Sequence, residues 1–196
     1  MSEDNILVIN TEDSVKLPEK EVKLEPLPLY ADTLPMLSEV MPHYDTKQLP
    51  NQSMSNLVKQ LKMTMKQFGG IGLSANQCNV RARVFIIGTE DKQLVCINPK
   101  VIKESAEVEK SGEGCLSFPG LYLKIERPLS IDVEFADESG KVHNETLTDL
   151  VARCFLHELD HMNGVKFTSH VGPVSLKMAE QKRQKMIKKI QRQKKR

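Results

Sequence analysis

The chain has 196 residues, 39% hydrophobic and 28% charged, with no tryptophan and a net charge of +2. That is the length of one domain with a buried core and the composition of an ordinary soluble protein. It has no apolar run of about 18 residues to cross a membrane, and the acidic start "MSEDNILVINTEDSV" resembles neither a secretory signal nor an arginine-rich transit peptide, so a cytoplasmic protein is expected. Four widely spaced cysteines (Cys78, Cys96, Cys115, Cys154) form no C-x-x-C pair, which suits core thiols or a ligand better than a disulfide framework.

Residues 1–26 mix charges with little periodicity before running into "LEPLPLY", and are expected to be an extension ahead of a domain over 27–172. Asn51 to Phe68 reads as a helix capped by Ser53, with Leu57, Leu61, Met65 and Phe68 on one face and "GG" at 69–70 ending it. "RVFIIG" (83–88) and "QLVCINP" (93–99) read as a hairpin. "YLKIERP" and "LSIDVEF" follow as strands, the second alternating with period two, and "DESGK" turns into "VHNETL". From Asp149 the pattern becomes helical until "NG" at 163–164, and a last helix covers 173–194. Strands packed around a central helix predict an α+β fold of antiparallel sheets with a C-terminal helix.

The central helix carries "FLHELDHMNG" (155–164). Residues i and i+4 share a helix face, so His157 and His161 can offer ring nitrogens to one metal ion. Glu158, one position around, can then reach a water polarised by the ion without ligating it, which is the chemistry of carbonyl hydrolysis. The alternative is a solvated helix with incidental histidines. "LVARCFLHELDH" is too apolar for that, since buried imidazoles need partners.

A third ligand could come from downstream, where His170 stands, or from upstream. "GEGCLSFPG" (112–120) places Cys115 in a loop of glycines and prolines, where its thiolate could bind a metal. "GGIGLSANQ" (69–77) is a glycine-spaced loop in which Gly70 and Gly72 permit close approach of a backbone or ligand. G-I-G-L-S-A-N-Q, E-G-C-L-S and H-E-L-D-H, in that order and at these separations, resemble peptide deformylase from about Leu27 to the end.

That resemblance implies Cys115, His157 and His161 as ligands of one divalent metal ion. Fe(II) is the family's usual ion, with zinc, nickel or cobalt as alternatives. It implies Glu158 as general acid/base, and the Gln77 amide with the Leu116 backbone N–H as donors to the oxyanion. The family removes the formyl group from N-formylmethionine at the start of nascent polypeptides. A thiolate and two imidazoles make a borderline-soft set that suits iron or zinc.

An extended formyl-Met peptide could lie along residues 70–73, its methionine side chain against Ile71, Leu150 and Cys154. Arg153 lies near that face with its stem packed and its head expected to reach water. Three features depart from the family pattern: Ser74 stands where alanine is common, Phe68 and Gly69 replace an acidic pair, and residues 1–26 have no counterpart. Asp160 and Arg127 are a candidate pair behind the ligands, or else an ordinary surface pair.

Residues 177–196 hold ten basic residues against Glu180, a charge of +9 that leaves −7 on the rest of the chain. A helix so charged suits a polyanion, and by resemblance the partner is ribosomal RNA. Two rival readings remain. A zinc endopeptidase would leave E-G-C-L-S and Gln77 unexplained. A retired scaffold that only binds RNA would have no chemical reason to keep the ligands, Glu158 and Gln77.

Overall fold

Strand β2 (Val84–Gly88) is apolar on both faces because both faces are covered. Phe85 and Ile87 join one core cluster with Phe155 and Leu156 of helix α2 (Asp149–Met162). Val84 and Ile86 join another with Met54, Val58, Leu61 and Met65 of helix α1 (Gln52–Phe68). The computed structural model describes residues 23–89 and 91–193, so the extension expected over 1–26 falls, for residues 1–22, outside the described residues.

Around β2 runs a five-stranded antiparallel sheet in the order β1-β2-β3-β6-β7, with β1 Gly72–Ser74, β3 Gln93–Glu104, β6 Ser130–Ala136 and β7 Val142–Thr148. A separate two-stranded sheet pairs β4 (Val108–Gly114) with β5 (Tyr122–Pro128), from Val108↔Pro128 to Gly114↔Tyr122. Alternation is clean in β6, where Ile131, Val133 and Phe135 are buried between less buried Asp132 and Glu134. This is the expected α+β arrangement, with α2 enclosed and α3 (Pro173–Gln193) at the C-terminal side.

Several local expectations are corrected. The cap of α1 is Asn51, whose side chain accepts from the Met54 N–H at 2.8 Å, and Ser53 lies inside the helix. Both are cap-forming residue types, and the extended backbone of Asn51 decides between them. The buried stripe is Met54, Val58, Leu61 and Met65. Leu57 is only partly buried and Phe68 is 46% exposed, because a periodic stripe marks a face and not how far a neighbour covers it. Gly69 ends the helix in the left-handed region at φ +66°, as a helix C-terminus favours. Strand β1 and the end of β4, at 112–114, fall in stretches expected to be loops.

Candidate metal centre

Helix α2 is buried nearly all round because it threads between the large sheet and β5. One face presents His157 and His161 to the residue that follows β4, Cys115. The Cys115 Sγ lies 3.3 Å from His161 Nε2. The sulfur and a ring nitrogen of each histidine all fall within 4.8 Å of one another, and all three residues are buried. Ligand bonds of about 2.0–2.3 Å place two donors of one tetrahedral ion roughly 3.5 Å apart, so this set fits a single ion. Glu158 Oε2 and His161 Nδ1 are buried with no hydrogen-bond partner among the described residues. Each such orphan costs about 1–3 kcal/mol unless something polar satisfies it.

The electrostatics follow from burial and from Glu113, two residues before Cys115. Glu113 Oε2 lies 3.1 Å from His157 Nδ1, which leaves the other ring nitrogen for the site. Arg127 donates to Glu113 through Nε and Nη2 at 3.0 and 3.1 Å, and Arg153 Nη1 donates to it at 2.9 Å. Burial works against the Glu113 charge, yet His157 and Arg127 hold its carboxyl down at about 2. Burial likewise opposes a charge on His157, but the hydrogen bonds its ring donates to Cys115 and Glu113 push it up to about 10. A cation and that proton compete for the ring. Burial, and then the charge of His157, push His161 down. Glu158 is pushed up to about 7 by burial, against the pull of His157, so it can take or release a proton near neutrality.

Gln77 is oriented by its neighbours. Its Oε1 accepts from the Ser74 N–H and the Ser74 hydroxyl, both at 3.0 Å. A backbone N–H only donates, so this end of the amide is the oxygen. Nε2 therefore faces Cys115 Sγ at 3.4 Å and Ser117 Oγ at 3.1 Å. Asn76, next in the loop, donates to the His161 carbonyl at 2.7 Å and ties the loop to the end of α2.

These groups open on a cleft of about 470 Å³. Ile71, Leu150 and Cys154 line it as expected, with Leu150 61% exposed at its mouth. The glycines serve contacts within the chain. A Cβ at Gly72 would collide with Glu158 and Cys154, and one at Gly70 would meet Leu116 Cδ1 at 2.7 Å. Arg153 does not send its head to water: it is buried, and besides Glu113 it donates to the carbonyls of Ile125 and Glu109 at 2.9 and 2.7 Å. Arg127 and Asp160 do pair, at 2.8 Å, and the burial of Arg127 excludes an ordinary surface pair. His170 bonds Asp160 at 2.7 Å and lies outside the Cys115–His157–His161 group. Tyr122, Phe118 and Leu121 also line the cleft and were not anticipated.

The family profile described as polypeptide deformylase matches residues 27–177. A peptide deformylase of Synechococcus sp. (strain RCC307) is 37% identical over 126 residues, 62% of this chain, and the chain spans 63% of that relative's length. One of Rhizobium meliloti (strain 1021) is 36% identical over 160 residues, 79% of this chain and 89% of the relative. The crystal structure of a peptide deformylase from Synechococcus elongatus in complex with actinonin superimposes with a TM-score of 0.75 at 32% identity, covering 87% of this chain and 92% of that one.

Proposed function

The chain belongs to the polypeptide deformylase family, and from that premise we propose that it hydrolyses the formyl group from the N-terminal N-formylmethionine of nascent polypeptides, releasing formate. The observation that carries this reading is the meeting of Cys115, His157 and His161 with an unpartnered Glu158 oxygen and the donor end of Gln77 beside them. Cys115, His157 and His161 would hold one divalent ion, with Fe(II) favoured over zinc, nickel or cobalt. When bound, the ion supplies Lewis-acid polarisation and makes water more acidic.

The remaining chemistry belongs to the chain. Glu158 takes a proton from the attacking water as the water oxygen bonds to the formyl carbon, and returns it to the departing amine as the C–N bond breaks. Gln77 Nε2 and the Leu116 N–H donate to the oxygen on which negative charge develops. The methionine side chain occupies the apolar cleft, against Ile71, Leu150 and Cys154, while the peptide backbone runs beside 70–73. The catalytic unit is 27–172, and the basic C-terminal segment over 173–196 is an appendage to it.

The deciding experiment is formate release from a formyl-Met tripeptide by protein purified without oxygen and loaded with iron. Cys115→Ser is expected to lose most of its metal and its formate release together. A variant that kept its metal would point to the endopeptidase arrangement. Well-metallated wild type that released no formate would end the deformylase reading.

For the tail, we propose docking on ribosomal RNA, which accords with a cytoplasmic enzyme. Lys182, Lys185, Lys188, Lys189 and Arg192 of α3 are exposed. Among the described residues no helix is long and apolar enough to cross a membrane. If about six phosphates are neutralised, ribosome affinity falls by about 10³-fold between roughly 50 and 200 mM salt. Salt-independent binding in a sedimentation assay would refute an electrostatic dock.

A further inference from the structure

Helix α3 is seated on the cleft wall as well as carrying charge. Leu176 and Ala179 pack on the cluster of Cys115, Phe118, Leu121, Leu123, Ile125 and Phe167. One turn further, Arg183 Nε donates to the Pro119 carbonyl at 2.9 Å, and its Nη1 lies 3.8 Å from Asp32 Oδ2. Met186 closes the contact. A Cβ at Gly120, which holds φ +78°, would come within 2.9 Å of Met186 Cε. Residues 176, 179, 183 and 186 thus form one stripe of the helix against one loop.

That loop is thin. It is built from two successive turns, with the Phe118 N–H on the Cys115 carbonyl at 2.9 Å and the Leu121 N–H on the Phe118 carbonyl at 3.0 Å. Its other side faces the cleft through Leu116, Phe118, Pro119 and Gly120. A single layer of chain therefore separates α3 from the substrate, and Arg183 is the side chain of α3 with a hydrogen bond to it among the described residues.

We infer that Arg183 is a positioning residue for the substrate cleft: by holding the Pro119 carbonyl it fixes the wall over 116–121, so that substrate affinity depends on the seating of α3. The inference rests on the deformylase reading for its substrate and on the contacts above for its geometry. Any polyanion docked on the exposed charges of α3 then acts on a helix already linked to the cleft, and the two binding events become coupled.

The test compares Arg183→Ala and Arg183→Lys with Gln181→Ala, an exposed neighbour on the same helix. Arg183→Ala is expected to raise KM for a formyl-Met tripeptide about 5–10-fold with kcat within about twofold and metal content unchanged, as loss of ground-state and transition-state binding alike requires. Arg183→Lys recovers part of the loss, and Gln181→Ala shows none. Hydrogen exchange read over 116–122 is expected to speed up in Arg183→Ala. An unchanged KM in Arg183→Ala overturns the inference, as does a parallel loss of metal and kcat. If the wild type releases no formate, the deformylase reading fails and exchange decides the geometry: wild-type exchange over 116–122 in Arg183→Ala overturns it, and faster exchange confined there upholds it.

Discussion

Glu158→Ala is expected to retain its metal and its fold while kcat for formyl-Met peptides falls by about 10³-fold, within the range that a positioned acid/base supplies. The carboxyl is buried beside His157, and its Oε2 has no partner among the described residues. Burial pushes its pKa up to about 7, where one group can both accept a proton from water and return it to the amine. Removing the carboxyl gives up a contact with Ser74 but relieves the desolvation cost of the partnerless Oε2, so little thermal stability is lost with the rate. Glu158→Gln keeps the shape and loses the base, and it should be equally slow. The check is formate release at saturating peptide with iron content measured on the same sample. A Glu158→Ala enzyme within tenfold of wild-type kcat would move the base to another residue.

What could be read from the sequence was set by local geometry. Four-residue spacing in a helix brings His157 and His161 together whatever surrounds them, and α2 ends at Met162 just ahead of the "NG" at 163–164. The hairpin of β2 and β3 and the inward stripe of β6 were legible for the same reason. Cys115 was not legible from spacing. It came from the likeness of three stretches far apart in the chain. Glu113 stood in plain view in "GEGC" without a role, because its partners Arg127, Arg153 and His157 lie 14, 40 and 44 positions away. Strand β4, "VEKSGEG", hid for a related reason: its one buried residue is that charged Glu113, so no apolar alternation marks it. Arg153 was misplaced because helix position told which face it takes, while the carbonyls of Ile125 and Glu109 that receive its head come from the small sheet.

Glu113→Gln is expected to give the largest combined loss of stability and metal affinity of any single isosteric change. The glutamate accepts three hydrogen bonds from Arg127 and Arg153 and holds His157 through Nδ1. Glutamine preserves the volume, but it cancels the charge and turns one acceptor into a donor aimed at groups that are themselves donors. Arg127 keeps the Asp160 carboxylate at 2.8 Å, whereas Arg153 keeps its two backbone carbonyls but has only Glu109 Oε2, at 3.7 Å, as a carboxylate among the described residues. Breaking a buried ion pair from one side costs about 3–5 kcal/mol, and for a domain of this size that is a fall in melting temperature of about 10 °C. Metal affinity falls by about 10–100-fold in addition, because His157 loses the carboxylate that fixes its ring and sets its tautomer. Asp160→Asn is the informative contrast, since Asp160 touches Arg127 and His170 but not His157. It should lose stability with metal affinity nearly intact. Denaturant midpoints at constant slope and a chelator competition measure the two quantities separately. Equal metal affinity in Glu113→Gln and wild type would mean that His157 is oriented by helix α2 alone, with the arginine–glutamate cluster serving only to join α2 to the small sheet.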